Sequence, residues 1–267
     1  MEDRLQQNLL FSCVHHEKFG TEQLIVQHAL SIVISGKMEV MLADGVHIVE
    51  EGTMGILRRN TLLKTKKHPA EDGRAFKSFT LFLTEDLLRT YALQNNVPAQ
   101  ERFKGSPLYE IPPQSVMKGF FQSITPYFDR PDYFTPKMSE LKTNEAIELL
   151  LQIDPSVRQF LFDFHEPHKI DLEGFMVKNF LFNIPLAEFA RLTGRSLSTF
   201  KRDFNKVFED SPEKWLRKRR LSEAHSLLKL NKHKPSDVYL HVGFENFSHF
   251  STAFKREFGV NPSAVGR

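Results

Sequence analysis

Three kinds of residue in this 267-residue chain have chemistry to offer: histidines, one cysteine, and phenylalanines interleaved with cations. The histidines of the first half, His15, His16, His28, His47 and His68, could ligate a metal through imidazole nitrogen. They are scattered, and no His-x-His pair with a nearby Glu supplies clustered donors. His165 and His168, in "HEPH", straddle a proline in a short polar stretch and make a poor ligand pair. Cys13 is the only cysteine, which excludes an intramolecular disulfide and a cysteine-built zinc site. No triad nucleophile, phosphate-cradling Gly loop or pair of catalytic carboxylates is recognisable, so no catalytic residue, metal or cofactor is expected. The phenylalanines remain. "FENFSHFSTAFKREFGVNP" (244–262) places Phe244, Phe247, Phe250, Phe254 and Phe258 at helical spacings, with Lys255 and Arg256 among them. Rings on one side of a helix are core, and the polar side left over is available for binding.

That stretch has a partner. "GRSLSTFKRDFNKVFEDSP" (194–212) aligns with it, so that Phe200, Phe204, Phe208 and Pro212 recur as Phe250, Phe254, Phe258 and Pro262. Each copy follows a short segment, "IPLAEFARLTG" or "KPSDVYLHVGF", that begins at proline and ends in a Gly-containing turn. Helix, tight Gly turn, then a second helix is the plan of a helix-turn-helix. "SPEKWLRKRRLSEAHSLLKL" reads as one long amphipathic helix between the copies. It would bury Trp215, Leu216, Leu221, Ala224, Leu227 and Leu228, and leave Arg217, Lys218, Arg219 and Arg220 partly exposed.

With its two units in register, the region 171–265 resembles the DNA-binding domain of the AraC/XylS transcription regulators. The resemblance rests on "LAEFARLTGRSLSTFKRDF", "SPEKWLRKRRLSEAHSLL" and "VGFENFSHFSTAFKREFGVNPS". It implies recognition helices at about 197–208 and 247–258 that enter the major groove of double-stranded DNA. In the first, Arg202 stands where the family places a groove-reaching arginine, with Ser198, Thr199, Lys201 and Lys206 as helpers. In the second, Asn246, His249 and Thr252 face outward, and Ser248, Lys255 and Arg256 suit phosphate. Two positions depart from the pattern. Tyr239 replaces the small residue that Ala190 keeps in the first unit, so it must shift the helix pair or point outward. Thr252 occupies the place of Arg202, so the first unit is expected to read more bases and the second to clamp more backbone.

The elements ahead of this module differ in kind. Residues 8–85 carry β-branched and apolar runs, such as "ALSIVISGKMEVML", with an Asp-Gly hairpin signal at "ADGV". They resemble the cupin-like sensor domain that AraC-type proteins often place N-terminally. Cupins that bind metal use two His and a carboxylate on one strand, which this region lacks. If the barrel opens to a ligand, Ile32, Ile34, Met38, Val40 and Phe79 are its expected lining; in a filled barrel the same residues are core. Arg58, Arg59, Lys64, Lys66 and Lys67 could meet an acidic effector or a protein partner, or be solvated. Helices follow from about residue 85. Met138, Leu141, Ile147 and Leu151, widened by Ala146, Leu149 and Leu150, form a stripe that fits either core or a dimer seam. "HEPHKIDLEG" reads as a hinge, so the domains are expected at 1–168 and 169–267.

The expected fold class is α+β: an N-terminal cupin-like β-barrel with following helices, then an all-α domain of two helix-turn-helix units joined by a long helix. Residues 170–267 hold 17 Lys+Arg against 11 Asp+Glu, whereas the whole chain is only +3, so the basic excess sits on the C-terminal third. No signal peptide or membrane span is apparent, which fits a cytoplasmic protein. The function expected is a sequence-specific transcription regulator, with an activator favoured, whose N-terminal domain senses a small-molecule or protein effector, or dimerises. RNA polymerase would be a further partner of an activator. The competing readings are a cupin-type metal enzyme with a helical appendage and a non-specific nucleic-acid-binding protein.

Overall fold

Alternation of apolar residues in the first half makes strands whose two faces meet different neighbours. The computed structural model describes residues 3–20, 24–230 and 234–265, and the chain divides into two units, Met1–His165 and Glu166–Arg267. In the first unit the strands are β1 (Arg4–Gln6), β2 (Leu9–Val14), β3 (Lys18–Phe19), β4 (Leu24–Ile25), β5 (His28–Ser35) and β6 (Lys37–Leu42). Next come β7 (Gly45–Val49), β8 (Met54–Leu57), β9 (Thr61–Leu62), β10 (Lys64–His68) and β11 (Phe76–Leu83). Helix α1 (Glu85–Gln94), strand β12 (Leu108–Ile111) and helices α2 (Ser115–Ile124), α3 (Pro126–Asp129), α4 (Pro136–Ile153) and α5 (Val157–Phe162) complete it. Within the stretch expected to be helical from about residue 85, Pro-punctuated "GSPLYEIPPQ" holds an edge strand, β12; prolines flank its four residues and do not interrupt them.

All pairings are antiparallel: one sheet runs β1-β2-β11-β5-β8-β12, a second β3-β10-β6-β7, and a small third β4-β9. Between β5 and β6 the chain turns at Gly36, whose φ of +79° would strain other residues and whose Cβ would lie 2.3 Å from the His68 carbonyl. One face of the six-stranded sheet packs Phe11, Leu30, Ile56, Phe79 and Leu81 against Met117, Phe120, Ile147, Leu150 and Phe160 of the helices. The opposite face carries Ala29, Ser31, Val33, Ser78, Thr80 and Phe82, and looks into a cavity.

This corrects three of the expected lining residues. Ile32, Ile34 and Phe79 lie on the helix-facing side, because they alternate with Ser31, Val33 and Thr80 in the pleat. Met38 and Val40 do line the cavity. The stripe on α4 resolves mostly to core: Ala146, Ile147 and Leu150 are buried and Met138, Leu149 and Leu151 are partly buried, whereas Leu141 is 49% exposed.

Arg58 and Arg59 are not solvated. Arg59 is 6% exposed, pairs with Glu85 and donates to the Asp163 carbonyl at 3.0 Å. Arg58 pairs with the Asp163 carboxylate, which also accepts from the Phe103 N–H and from the N–H and ring of His165. Burial acts to raise the Asp163 pKa, but these hydrogen bonds and the Arg58 charge outweigh it and hold the carboxyl below its usual range. Lys64 is buried too, while Lys66 and Lys67 pair with Glu17 and Asp3.

His28 sits beside this cluster with no exposed surface, its ring centroid 5.4 Å from that of Phe160. Burial, and then the charges of Arg58 and Arg59, lower its pKa to about 3 against the pull of Asp163. The unfolded chain protonates this histidine near 6.5, so its stabilising contribution is complete above that pH and drains as pH falls toward 3. Between pH 6.5 and pH 5 the loss is about 2 kcal/mol. Denaturant unfolding followed by near-ultraviolet circular dichroism should show His28→Asn losing about 2 kcal/mol less than wild type over that interval. Equal losses would assign the acid sensitivity elsewhere.

Candidate nucleic-acid interface

The second unit is helical: α6 (Leu172–Asn179), α7 (Leu186–Leu192), α8 (Leu197–Phe208), α9 (Pro212–Lys229), α10 (Pro235–His241) and α11 (Phe247–Phe258). The starts of α8, α9 and α11 have a local cause. Ser196 caps α8 by accepting from the Thr199 N–H, and Ser211 caps α9 ahead of Pro212 at its first position. Asn246 caps α11 by accepting from the N–H groups of Ser248 and His249 at 2.8 and 3.2 Å.

The phenylalanine ladders are buried as their spacing requires. Phe200, Phe204, Phe250 and Phe254 have no exposed surface. Phe204 and Phe208 meet Trp215 near the start of α9, with ring centroids 5.6 and 4.6 Å apart. Phe254 and Phe258 meet His225 farther along the same helix, at 5.9 and 4.4 Å. One helix therefore supports both ladders. Trp215 and Leu227 are half-buried, not fully so.

Tight turns precede both supported helices. Gly194 has φ +65°, and a Cβ there would lie 2.1 Å from the His168 carbonyl carbon; Gly243 has φ +87°, and its Cβ would lie 2.6 Å from the Leu181 carbonyl oxygen. Arg195, whose side chain is 6% exposed, holds the first turn from beneath. It donates to the carbonyls of Thr193 and Ile170 at 2.8 and 3.0 Å and to the Asp203 carboxylate of α8 at 3.2 Å. That hydrogen bond, working against burial and helped by Lys169, keeps the Asp203 pKa below the carboxylate norm. Sequence reading missed Arg195 because its partners are mostly backbone carbonyls, which leave no pattern in side-chain identities.

With the rings buried, the other side of each helix is open. Ser198, Lys201, Arg202 and Lys206 are exposed on α8, and Ser248, His249, Thr252, Lys255 and Arg256 on α11. Lys255, Arg256 and Thr252 share a shallow depression with Ser251 and Asn261, a setting suited to a phosphate. Two expected contacts are changed. Thr199 is half-buried and its hydroxyl accepts from Ser196 at 3.0 Å. Asn246 is exposed, but its oxygen is consumed by capping, which leaves only its amide N–H groups for a base. The Arg202 side chain is 65% exposed and its guanidinium lies 3.6 Å from Asp203, while Lys201 pairs with Glu213 at 3.1 Å. Tyr239 is accommodated half-exposed, with Phe247 edge-on at 5.6 Å; Phe247 itself is 43% exposed.

Among the described residues no three His, Cys, Asp or Glu side chains are placed to hold a metal ion, and no helix is long and apolar enough to cross a membrane. His47 pairs with Asp44, and His68 lies 2.8 Å from both Glu17 and Glu39.

Residues 189–267 match the family described as a helix-turn-helix domain, and residues 28–161 match the ExsA N-terminal regulatory domain. The HTH-type transcriptional regulator ExsA of Pseudomonas aeruginosa is 32% identical over 248 residues, covering 89% of this chain and 85% of its own length. The thermoregulatory protein LcrF of Yersinia pestis is 28% identical over 265 residues, covering 95% and 91%. An apo crystal structure of a ToxT variant from Vibrio cholerae aligns over 98% of this chain and 97% of its own, with a TM-score of 0.47 and 12% identity.

The two kinds of glycine in this unit separate close approach from backbone conformation. Gly259 also has positive φ, +76°, but nothing lies within 4 Å of a Cβ there. Thermal melting should show Gly259→Ala costing about 1 kcal/mol, the left-handed penalty alone. Gly243→Ala should cost at least twice as much, because the Leu181 carbonyl must also move. Equal costs would mean that the turn does not depend on that approach.

Proposed function

Because the chain belongs to the AraC/XylS family of transcription regulators, with an ExsA-type N-terminal regulatory domain, we propose that it activates transcription by seating α8 and α11 in successive major-groove segments. The chain is a sequence-specific DNA-binding regulator; what is added is which residues read and which clamp. One observation carries the reading: two equivalent helices, each with its rings buried on α9, present exposed polar and cationic faces. Groove segments one helical turn apart lie ~34 Å from each other on one side of the duplex. Arg202 has the reach and the planar fork to read guanine, with Ser198 and Lys201 beside it. In the second helix His249, Thr252 and the Asn246 amide serve bases, and Ser248, Lys255 and Arg256 serve phosphate. Such a regulator acts in the cytoplasm on bacterial DNA, has RNA polymerase as its activation partner, and has no enzymatic step. A homodimer would have to use surface beyond the α4 stripe, of which Leu141 alone is strongly exposed.

A cavity of about 260 Å³ between the two larger sheets is the candidate effector site. Its walls are apolar at Ala29, Val33, Val40 and Leu57 and bear hydroxyls at Ser31 and Thr80, which hydrogen bond to each other at 2.9 Å. At one end Lys67 is already engaged by Ser12 at 2.7 Å and Asp3 at 3.3 Å. With its charge compensated, the site suits a small, mainly apolar molecule carrying one or two hydrogen-bonding groups.

Two measurements test these assignments. Arg202→Ala should weaken operator binding about tenfold or more and relax base preference at one position. Arg256→Ala should instead weaken all sequences alike and lower the salt slope by about one. An Arg202→Ala protein with full affinity and preference would remove the reading role from this residue, and equal binding of operator and random duplex by wild type would favour a non-specific binder. For the cavity, millimolar indole should raise the melting temperature of the N-terminal transition in wild type but not in Val33→Phe, which fills the space. An equal shift in both would place the binding elsewhere.

A further inference from the structure

Between the two helix-turn-helix units lies a polar node that no base or phosphate needs to touch. Arg220, on α9, sends its guanidinium into the junction of segment 180–183, which precedes α7, with the turn before α11. Its Nε donates to the Phe180 carbonyl at 2.8 Å and its Nη2 to the Phe182 carbonyl at 2.7 Å. Its Nη1 donates to the Asn183 side-chain oxygen and to the Gly243 carbonyl, both at 3.2 Å. The Asn183 amide then donates to Glu245 at 2.6 Å, two residues past that glycine. Leu181 adds an apolar contact, since it packs on the core formed by Val238, Phe250 and Phe254. Burial lowers the Arg220 pKa to about 10 against the pull of Glu245, so the side chain remains cationic at neutral pH.

A residue that only filled this junction could be aliphatic. A largely buried guanidinium with acceptors on both units is different, because its planar fork fixes rotation as well as distance. The first unit contributes Phe180, Phe182 and Asn183, and the second contributes Gly243 and, through Asn183, Glu245. The turn they hold leads directly into α11 at Asn246. A rotation of the second unit relative to the first must therefore break several of these bonds together, leaving buried carbonyls unpaired.

We propose that Arg220, with Asn183 and Glu245, is a positioning node that sets the number of base pairs between the two half-elements of the operator. It rests on the reading that both α8 and α11 enter DNA, and concerns spacing, not base identity. Each base pair inserted between the half-elements turns the second groove segment by about 34° and moves it about 3.4 Å. A rigid pair of helices rejects such a shift; a loosened pair follows it.

The test uses the full-length chain and an operator selected by wild type from a random duplex pool. Duplexes are made with the spacing changed by one or two base pairs in either direction. Wild type should lose tenfold or more per base pair of mismatch. Arg220→Lys, which keeps charge but loses the fork, and Asn183→Ala, which breaks the link to Glu245 from a less buried position, should bind all these spacings within about threefold of one another. Binding to the first half-element alone should be unchanged in both variants, which shows that they are folded. The proposal is overturned if variants with intact half-element binding keep the wild-type spacing profile or lose affinity equally at every spacing. A flat wild-type profile overturns it as well. Scrambling the second half-element then separates the two ideas: loss of affinity retains the two-helix reading, and no loss removes that reading too.

Discussion

Burying phenylalanine every fourth residue fixes which side of each recognition helix faces water. A ring placed in the core removes a large apolar area from solvent, and rotating the helix to expose it forfeits several kcal/mol. Phe200, Phe204, Phe250 and Phe254 have no exposed surface, so each helix has one favourable rotation about its axis. The residues opposite are then presented by default, whatever their type. This separates two tasks within twelve residues: the ladder can stay constant while the outward position carries Arg202 in one copy and Thr252 in the other.

How much of this was legible in the sequence depended on whether the determining contacts leave a period. The ladders, their Gly turns and the linking helix all repeat, so the helix-turn-helix pair could be read at residue level. The barrel could be read only as a class. Both faces of β5 and β11 are covered, one by helices and one by the second sheet, so Ile32 and Val33 look equally like lining residues. Nothing local separates them, so the sequence does not tell that Ile32, Ile34 and Phe79 face the helices and not the cavity. Arginines were the hardest to place. Nothing in the sequence marks Arg58, Arg59, Arg195 or Arg220 as buried, yet each is aimed at carbonyls or carboxylates tens of residues away. A guanidinium can stay charged while buried if several acceptors surround it, and backbone acceptors have no sequence signature.

The acidic residues of the basic unit show the same division between holding and reaching. Asp203 engages Arg195 and Lys169, and Asp210 engages Lys214 and Lys218. Such pairs reduce the positive field near the protein surface, and exposed ones contribute little stability. Their effect is on direction. Lys201 is drawn toward Glu213, whereas Arg202 extends with most of its surface exposed and only a 3.6 Å approach to Asp203. Cations tied along the surface have their charge offset by the paired acid, and a loosely held one keeps its donors open to another acceptor.

The asymmetry between the two units follows from the same constraint. In the second helix the equivalent of Arg202 is a threonine, and the cap residue Asn246 gives its oxygen to the backbone. Short side chains reach bases only if the helix sits deep and at a fixed angle in the groove, since they cannot extend to correct a misplacement. A long arginine tolerates an ångström of error that Thr252 cannot. Under the proposed reading, the second helix is therefore the one that must be positioned by its scaffold. That is where the Arg220 bonds converge, on Gly243, with Asn183 holding Glu245 just before α11 begins.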